Sequence, residues 1–299
     1  MIYISICIPT KDRINNLIDT INSILDDNVD PNYYQIVISD NSDNNATQEY
    51  INSFQNTNYN FKYYRNPVKG FYNSIQALLI GDGELLKLHN DYTKFKPGCF
   101  KKLVEMSIEK HKVKPLMFFP NGELKGKKEN FDVKSFNQFM SKSSYLTTWS
   151  SAFSIWKSDL HNLETSPESV DIMFPHTTLL LNSNNNSFFI CNEILFTNTE
   201  VKNKGGYNIY YNFCVLYLDM LKENKRLSRF VYKKIKIDMY FKFILVWYYR
   251  TVINNDRNYT FDNSNAREYI ENAYGMLGFK LITLLSNLKK LKDALKNKK

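Results

Sequence analysis

The sequence lacks the cysteine patterns of a zinc site and of a disulfide framework, because its four cysteines are too far apart. They stand at Cys7, Cys99, Cys191 and Cys214. The first residues also lack the basic segment and the long apolar stretch of a signal peptide. The most apolar later stretch, residues 243–249, is too short to span a bilayer and is flanked by Lys242 and Arg250. These absences predict a reduced protein in the cytoplasm.

Several active-site motifs are missing as well. The chain has no G-x-x-x-x-G-K-[ST] phosphate loop, no G-x-G-x-x-G dinucleotide loop and no G-x-S-x-G nucleophile turn. It also has no proline after Pro175, and proline is the residue that most strongly interrupts helices. The sequence therefore gives no support to P-loop enzymes, glycine-rich dinucleotide binders or α/β hydrolases, and it permits long helices in the last third.

The size of the chain allows a substantial core, and its charge is unevenly distributed. The 299 residues, 43% of them hydrophobic, suffice for one catalytic domain of roughly 200 residues and an appendage. Residues 200–299 contain 20 Lys and Arg against 9 Asp and Glu, whereas residues 1–199 contain 19 against 21. This asymmetry predicts that a polyanionic partner, either a membrane surface or nucleic acid, contacts the last third.

Short apolar runs alternate with helical patterns over the first part of the chain. Four runs are interpreted as strands, at residues 2–8, 34–39, 61–64 and 84–88, and the first two of them as buried strands. Four helical patterns accompany them, at residues 14–25, 47–54, 72–79 and 100–110. Pro9 and Thr10 are expected to end the first strand, and Asp12 to cap the first helix. The alternation predicts an α/β fold with a mostly parallel sheet and helices on both faces.

The rest of the chain divides into a less regular segment and a helical one. Further strands are expected at residues 116–119, 150–156 and 188–191, and a short helix at 174–181. From residue 207 onward the patterns are helical, at residues 207–222, 228–254 and 266–296. The predicted domains are therefore an α/β domain at residues 1–205 and an all-helical basic region at residues 206–299.

Polar residues cluster directly after three of the predicted strands, at residues 10–13, 40–43 and 89–91. Ligands of parallel α/β sheets bind beyond the carboxyl ends of the strands, which lie at one edge of the sheet. The three clusters are therefore expected to converge on one binding site.

Four segments resemble, in order, the motifs of glycosyltransferase family 2. They are SICIPTKDR (residues 5–13), ISDNSD (38–43), Arg65-Asn66 with Gly70 and Asn73, and LKLHND (86–91) followed by Pro97-Gly98. The resemblance covers roughly the first hundred residues and fades after about residue 200. It implies a GT-A fold and an inverting transfer of a sugar from a nucleotide-diphosphate donor, with UDP the first choice. The implied acceptor is a bacterial surface glycan, such as a capsule or O-antigen chain, or a lipid-linked molecule.

The resemblance also implies the donor site. Asp91 is expected to bind Mn²⁺ or Mg²⁺, which would neutralise the charge that grows on the leaving diphosphate. His89 stands where the family has its first Asp, and it is either a ligand that suits Mn²⁺ better than Mg²⁺ or a hydrogen-bonded histidine below the site. Asp40 either accepts hydrogen bonds from the nucleotide or forms an Asx-turn. The other residues expected at the donor pocket are Pro9, Thr10, Arg13, Ser42, Gly70, Asn73 and Asn90.

An inverting transfer needs a general base that removes the proton of the acceptor hydroxyl. The Glu-Asp pair of the family is missing, and alignment by pattern puts Pro175-His176 in its place. His176 is the first candidate base, since the unperturbed pKa of histidine lies near neutrality. Asp171 is the second candidate, and a third interpretation is that neither acts. The same gap leaves open a non-catalytic nucleotide- or glycan-binding protein of this fold.

The last predicted helix carries a leucine face with lysines around and beyond it. The leucines are Leu277, Leu281, Leu284, Leu285, Leu288, Leu291 and Leu295. The face either packs on the catalytic domain or a partner subunit, or lies on an anionic membrane leaflet, where each nearby lysine contributes about 1 kcal/mol. Peripheral membrane contact is favoured because lipid-linked acceptors would be found there, and homo-oligomerisation is compatible with either. RNA binding by residues 200–299 is the weaker rival.

Overall fold

The computed structural model describes residues 1–126, 129–201 and 204–296. Contacts between residues divide the chain into two compact units, Met1–Glu200 and Val201–Lys299. The first unit contains the central sheet and the segments with the predicted site, and the second contains the long helices.

The first unit alternates strands and helices along most of its length. Its strands are β1 (Ile4–Thr10), β2 (Tyr34–Asp40), β3 (Phe61–Arg65), β4 (Leu85–Leu88), β5 (Thr93–Phe95), β6 (Leu116–Phe118), β7 (Asn130–Val133), β8 (Ser154–Trp156), β9 (Phe188–Cys191) and β10 (Phe196–Asn198). Its α-helices are α1 (Ile14–Leu25), α2 (Ala46–Asn52), α3 (Asn73–Leu79), α4 (Cys99–Lys110), α5 (Phe136–Ser143), α6 (Lys157–Leu160) and α7 (Pro175–Asn182). Two 3₁₀ helices, Ser144–Thr148 and Ser150–Ala152, lie between α5 and β8.

A five-stranded sheet with strand order β3-β2-β1-β4-β8 forms the centre of the first unit. The strands β3, β2, β1 and β4 are parallel to one another, and β8 at the edge runs antiparallel to β4. The apolar runs of β1 and β2 are buried, as expected for a parallel sheet covered by helices. Helix α1 packs its own apolar stripe into the same core through Leu17, Ile21 and Ile24. The predicted α/β fold with a mostly parallel sheet is confirmed.

Strand β1 runs two residues further than predicted. Pro9 and Thr10 do not end the strand but pair with Ser39 and Asp40 of β2. Proline lacks the N–H group that a strand ladder needs, yet β4 pairs with β1 only as far as Cys7. Beyond Cys7, the side of β1 that faces β4 has no ladder that requires a backbone N–H, so a proline is tolerated there. The extension carries Thr10 to the edge where the polar clusters meet.

Two further local predictions are wrong. Asp12 does not cap α1: its φ is 53°, and its carboxylate accepts a hydrogen bond from the backbone N–H of Asp43 instead. Arg13 occupies the N-cap position of α1, and its side chain makes no capping hydrogen bond to the helix. The predicted strand at 150–156 begins with a 3₁₀ helix, and only β8 joins the sheet. Ser150, in that 3₁₀ helix, donates its hydroxyl proton to Asn90 instead of lying in the strand.

Lys87 of β4 is completely buried, which is rare for a lysine. Its ammonium group donates to the backbone oxygens of Leu88 and Ser151, at 2.8 Å and 2.5 Å. It also lies 5.1 Å and 5.6 Å from the ring centroids of Phe119 and Phe196. Burial lowers the pKa of Lys87 to about 7, because apolar surroundings disfavour the charged form. The contact with Ser151 fastens the second 3₁₀ helix to the central sheet.

We expect Lys87 to make the free energy of unfolding rise by about 1 kcal/mol between about pH 7 and about pH 8. In the unfolded chain the lysine keeps its proton up to about pH 10. In the folded chain the proton leaves near pH 7, so the unfolded state binds more protons in this window and stability increases with pH. Above about pH 8.5 unfolded thiols lose protons that buried Cys7 retains, because burial raises its pKa, and the trend reverses.

Denaturant titrations of the whole chain at the two pH values measure this increment. Lys87→Met should remove it, whereas Lys62→Met, which changes an exposed lysine paired with Asp82, should keep it. An increment of equal size in Lys87→Met and in the wild type would contradict the lowered pKa of Lys87.

The second unit is mainly helical. Its α-helices are α8 (Ile209–Tyr211), α9 (Tyr217–Glu223), α10 (Arg229–Met239), α11 (Leu245–Tyr248) and α12 (Ala266–Lys296). The π-helical turns Asn212–Leu216, Tyr240–Ile244 and Tyr249–Ile253 continue α8, α10 and α11, so the predicted helices are present as long helical stretches. Helix α12 is kinked at Gly275, whose φ is 76°. Within the described ranges, no helix is both long enough and apolar enough to cross a membrane.

The prediction of an all-helical second region is wrong. Strand β11 (Lys204–Asn208) pairs in parallel with β12 (Tyr259–Asp262). The two backbones approach closely at Gly205, where a Cβ would lie 2.5 Å from the carbonyl carbon of Thr260. Strands of four and five residues contain too few positions for a period of two to be recognised in the sequence.

Candidate active site

Asp91 follows β4 and is completely buried. Its carboxylate accepts a hydrogen bond of 2.7 Å from the hydroxyl of Thr10, the last residue of β1. The Nε–H of Arg13 points at both carboxylate oxygens, at 2.8 Å and 3.0 Å, and completes an ion pair. The backbone oxygen of Asp91 accepts a hydrogen bond from Thr20 of α1. Three residues that the sequence placed at one site are thus joined by direct contacts at the carboxyl edge of the sheet.

Burial and pairing act in opposite directions on the Asp91 carboxyl group. Burial raises its pKa, while the guanidinium of Arg13 and the hydroxyl of Thr10 favour the charged form and limit the rise. The side chain of Arg13 stays 37% exposed, and its guanidinium lies 5.6 Å from the ring centroid of Tyr92. The site therefore combines a buried carboxylate with a cation that is partly open to solvent.

The side chain of His89 is completely buried among aromatic rings. Its ring stacks on Phe95 at 4.5 Å and meets Phe196 edge-on at 5.5 Å. Its Nε2 lies 2.8 Å from the backbone oxygen of Thr93 and therefore carries the ring proton, while Nδ1 has no hydrogen-bond partner. Burial lowers the pKa of His89 to about 3, so the ring is neutral. This geometry agrees with the hydrogen-bonded histidine of the two interpretations that the sequence left open.

A divalent cation would find one side-chain ligand here. The described residues contain no group of three or more His, Cys, Asp and Glu side chains placed to bind a metal ion. Asp91 supplies oxygen donors of the kind that Mg²⁺ and Mn²⁺ prefer, and such ions commonly take one or two carboxylates and complete their shell with substrate phosphates and water. The donor set fits a cation that arrives with a diphosphate, provided that it shares or displaces the contact with Arg13.

The carboxylate of Asp40 orders the turn after β2. One oxygen accepts a hydrogen bond of 2.8 Å from the backbone N–H of Ser42, which is the Asx-turn geometry. The other accepts the hydroxyl proton of Tyr63 at 2.9 Å and lies 3.3 Å from Arg65. The hydroxyl of Ser42 in turn accepts a hydrogen bond from the backbone N–H of Asp12. Asp40 and Ser42 thus hold this turn in place through contacts within the chain.

Asn73, at the start of α3, connects the ends of β1 and β2. Its amide group donates to the backbone oxygens of Thr10 and Ser39, at 3.2 Å and 2.8 Å. Its side-chain oxygen accepts from the hydroxyl of Ser39 and from the amide of Asn66. Gly70, with φ of 94°, forms the turn that leads into α3. Asn73 therefore fixes the strand ends from behind the site.

The turn that contains Asn90 is held against the second 3₁₀ helix. The side-chain oxygen of Asn90 accepts the hydroxyl proton of Ser150 at 3.0 Å, and its amide group donates to the hydroxyl of Tyr92. Together with the bond from Lys87 to Ser151, this fixes the segment beside Asp91. Ser150 and Tyr92 were not predicted to lie at the site. Ser150 lies 60 positions from Asn90, so no local pattern in the sequence could indicate their contact. Tyr92 directly follows Asp91, and its position next to the motif could have indicated it.

His176 and Asp171 lie around the N-terminus of α7. His176 is only 4% exposed, and it is hydrogen-bonded to the backbone oxygen of Thr148, while its Nε2 has no partner. Burial lowers the pKa of His176 to about 4. Asp171 is half-buried, and one of its carboxylate oxygens accepts hydrogen bonds from the backbone N–H groups of Met173 and Phe174, at 2.8 Å and 2.7 Å.

The two 3₁₀ helices connect α7 to the turn that contains Asn90 by hydrogen bonds. The hydroxyl of Thr177 donates to the backbone oxygen of Thr147, and Ser150, three residues further along, donates to Asn90. Helix α7 also packs on α3, which Asn73 ties to β1. His176 lies in α7, and Asp171 lies in the turn before it, with its backbone N–H donating to the hydroxyl of Thr178. Both candidate bases are therefore held by elements that contact the Asp91 region through the 3₁₀ helices and through α3.

Solved structures share this fold. The 1–349 fragment of TarS from S. aureus, in complex with UDP-GlcNAc, matches with a TM-score of 0.62 and 14% identity over 91% of this chain and 82% of that chain. PcManGT from Pyrobaculum calidifontis, a mannosyltransferase in complex with GDP-Man and Mn²⁺, gives 0.55 and 11% over 96% and 80%. A longer structure of S. aureus TarS matches with a TM-score of 0.57 and 14% identity over 81% of this chain. The match covers only 44% of that longer chain. At such identities these matches show a GT-A-like fold.

The sequence itself gives the family. No curated protein matches the chain. The family described as Glycosyl transferase family 2 matches residues 5–155, a stretch that contains the central sheet and Asp91. Since this match spans just over half of the 299 residues, the protein belongs to glycosyl transferase family 2 and is a glycosyltransferase that takes its sugar from a nucleotide-sugar donor.

Proposed function

We propose that this glycosyltransferase inverts the configuration of the transferred sugar and takes it from a UDP-sugar, with Asp91 at the centre of the donor site. The observation that carries the proposal is the contact of the buried Asp91 carboxylate with Thr10 and Arg13 at the carboxyl ends of β1 and β4. Ligands of such sheets bind beyond these strand ends. The complexes of TarS with UDP-GlcNAc and of PcManGT with GDP-Man support a nucleotide-sugar as the donor.

A divalent cation belongs to this proposal. Asp91 would hold it, and the ion would supply positive charge against the diphosphate that leaves the sugar. The Mn²⁺ in the PcManGT complex supports this assignment. Arg13, 37% exposed beside Asp91, offers a second positive charge to the diphosphate. Asp40 and Asn73 keep the strand ends in place behind the nucleotide.

Asp171 is the better candidate for the base that takes the proton of the acceptor hydroxyl. A proton on His176 would leave a positive charge in a buried environment, and the lowered pKa shows how unfavourable that is. A proton on Asp171 would instead neutralise a charge at a half-buried position. One carboxylate oxygen of Asp171 accepts the hydrogen bonds of the turn before α7, and the second oxygen would take the proton of the acceptor hydroxyl.

The proposed acceptor is a bacterial surface glycan or a lipid-linked precursor of one. The basic excess of residues 200–299 supports a position beside an anionic membrane surface. This attraction requires only the charge of the second unit and no insertion of helices into the bilayer.

Thermal unfolding in the presence of nucleotide sugars tests the proposal. We expect a UDP-sugar to raise the melting temperature, and Mn²⁺ to increase the shift, because a ligand at 100 times its Kd stabilises the native state by about 2.7 kcal/mol. UDP and a GDP-sugar serve as controls for the nucleotide. Calorimetric titration with the best donor should then show that Mn²⁺ strengthens donor binding to the wild type. In Asp91→Ala, Mn²⁺ should not change donor binding. The absence of any shift with every nucleotide sugar would refute the proposal.

A further inference from the structure

Helix α12 presents a stripe of exposed leucines along its second half. The stripe consists of Leu277, Leu281, Leu284, Leu288, Leu291 and Leu295, which are 40% to 77% exposed. Contiguous apolar surface of this extent is uncommon on a monomeric protein and marks a contact surface.

The spacing of the stripe is that of a coiled-coil seam. The leucines follow one another at intervals of four and three residues, which is the heptad alternation of a and d positions. With about 100° of rotation per residue, all six lie within an arc of about 80°. A helix that packs on a core or lies on a membrane shows a wider apolar face. These six exposed leucines occupy only a and d positions, with the half-buried Leu285 beside them at an e position, which is typical of a narrow seam for one partner helix.

The opposite face of α12 is already occupied by its own unit. Ile282 and Ser286 are buried there. Further along, Asp293 accepts a hydrogen bond of 2.6 Å from the hydroxyl of Tyr249, and the ammonium group of Lys289 lies 4.3 Å from the centroid of the same ring. These contacts fix the rotation of the helix, so that the leucine stripe points away from the unit that carries it.

We propose that the leucine stripe pairs with the same stripe of a second copy of this chain, in a parallel two-stranded coiled coil. From the exposed fractions, the six leucines offer about 600 Å² per copy and about 1,200 Å² for a pair, which reaches the lower end of the range for stable interfaces. This area, reached when the exposed leucine surface is buried completely, is of the size that a small dimer interface requires.

The charges beside the stripe fit this arrangement. With Leu281, Leu288 and Leu295 at a positions, Lys280 and Lys292 are the charged residues among the flanking e and g positions. In a parallel pair in register, Lys280 faces Leu285 of the second copy and Lys292 faces Asn287. No two lysines oppose each other, so the basic helix can pair with itself.

Sedimentation of the whole chain at micromolar concentration tests the proposal. We expect the wild type to have twice the mass of one chain and Leu284→Gln/Leu288→Gln to have the mass of one chain, since glutamine keeps helix propensity but not the seam. The matched control is Phe230→Gln/Ile237→Gln, which removes two exposed apolar side chains of the same unit outside the stripe and should remain a dimer. Far-ultraviolet circular dichroism should show equal helix content in all three proteins.

A cross-link tests the orientation. Leu295→Cys should form a disulfide-linked dimer on mild oxidation, because equivalent a positions meet in a parallel pair and lie at opposite ends of an antiparallel one. A monomeric wild type, or a control variant that dissociates as the stripe variant does, would overturn the proposal. A monomer that co-sediments with phosphatidylserine vesicles through the same leucines would assign the stripe to a membrane instead.

Discussion

Asp91→Asn should lower the kcat/KM of sugar transfer by at least about 100-fold, while the protein stays folded. Asparagine has the shape of aspartate, so the contacts with Thr10 and Arg13 can persist in altered form. It lacks the negative charge, however, and would bind a divalent cation poorly, so the leaving diphosphate would lose its counter-charge. Release of UDP from the donor that best stabilises the wild type, measured with and without Mn²⁺, gives the comparison.

The same substitution should leave the stability at neutral pH unchanged or raise it. Burial raises the folded-state pKa of Asp91 above its unfolded value. A raised carboxyl pKa means that the folded state binds more protons, so this group makes stability fall as pH rises from about 3.9 up to the folded pKa. Asparagine does not ionise and removes that cost. Denaturant titration at neutral pH should therefore find Asp91→Asn at least as stable as the wild type.

A neighbouring carboxylate provides the control. Asp43 lies in the turn after β2, is 74% exposed and pairs with Lys69. Asp43→Asn should keep transfer within a few-fold of the wild type, because an exposed ion pair contributes at most about 1 kcal/mol. Equal losses in both variants would show that the effect comes from general loss of negative charge, and full activity of Asp91→Asn would remove Asp91 from the donor site.

The centre of the sheet was predictable from the sequence because β1, β2 and β4 are buried on both faces. Such strands are continuous apolar runs, and β1, β2, β3 and β4 lie within two residues of their predicted positions. The strand ends were less accurate, since pairing rather than apolar content decides where a strand stops. Pro9 and Thr10 remain in β1 because β2 continues beside them.

The convergence of the polar clusters was also predictable, because parallel strands end at one edge. The partners of each side chain were not. Asp91 pairs with Arg13, 78 positions away, and the environment of His89 depends on Phe196, which reaches it through the pairing of β10 with β5. The sequence could place His89 beside the motif but could not decide between a ligand and a buried ring. The burial of the His89 ring depends on the packing of distant strands, which no local sequence pattern encodes.

Asp171→Asn and His176→Gln should separate the two candidate bases. We expect Asp171→Asn to lower kcat by roughly 100-fold or more with little change in the KM for the donor, as for the loss of a general base. Asparagine retains the oxygen that accepts the N–H groups of Met173 and Phe174, so the turn before α7 should persist.

His176→Gln should keep kcat within a few-fold of the wild type. Glutamine can donate a hydrogen bond to the backbone oxygen of Thr148, as His176 does, so the helix should stay in place. Because burial lowers the pKa of His176 to about 4, the histidine is already neutral at neutral pH, and replacing it changes no charge. Donor binding, measured by calorimetry, should be the same in both variants and the wild type, which confines the difference to proton removal from the acceptor. A large loss in His176→Gln together with an active Asp171→Asn would reverse the assignment and make the buried histidine the base.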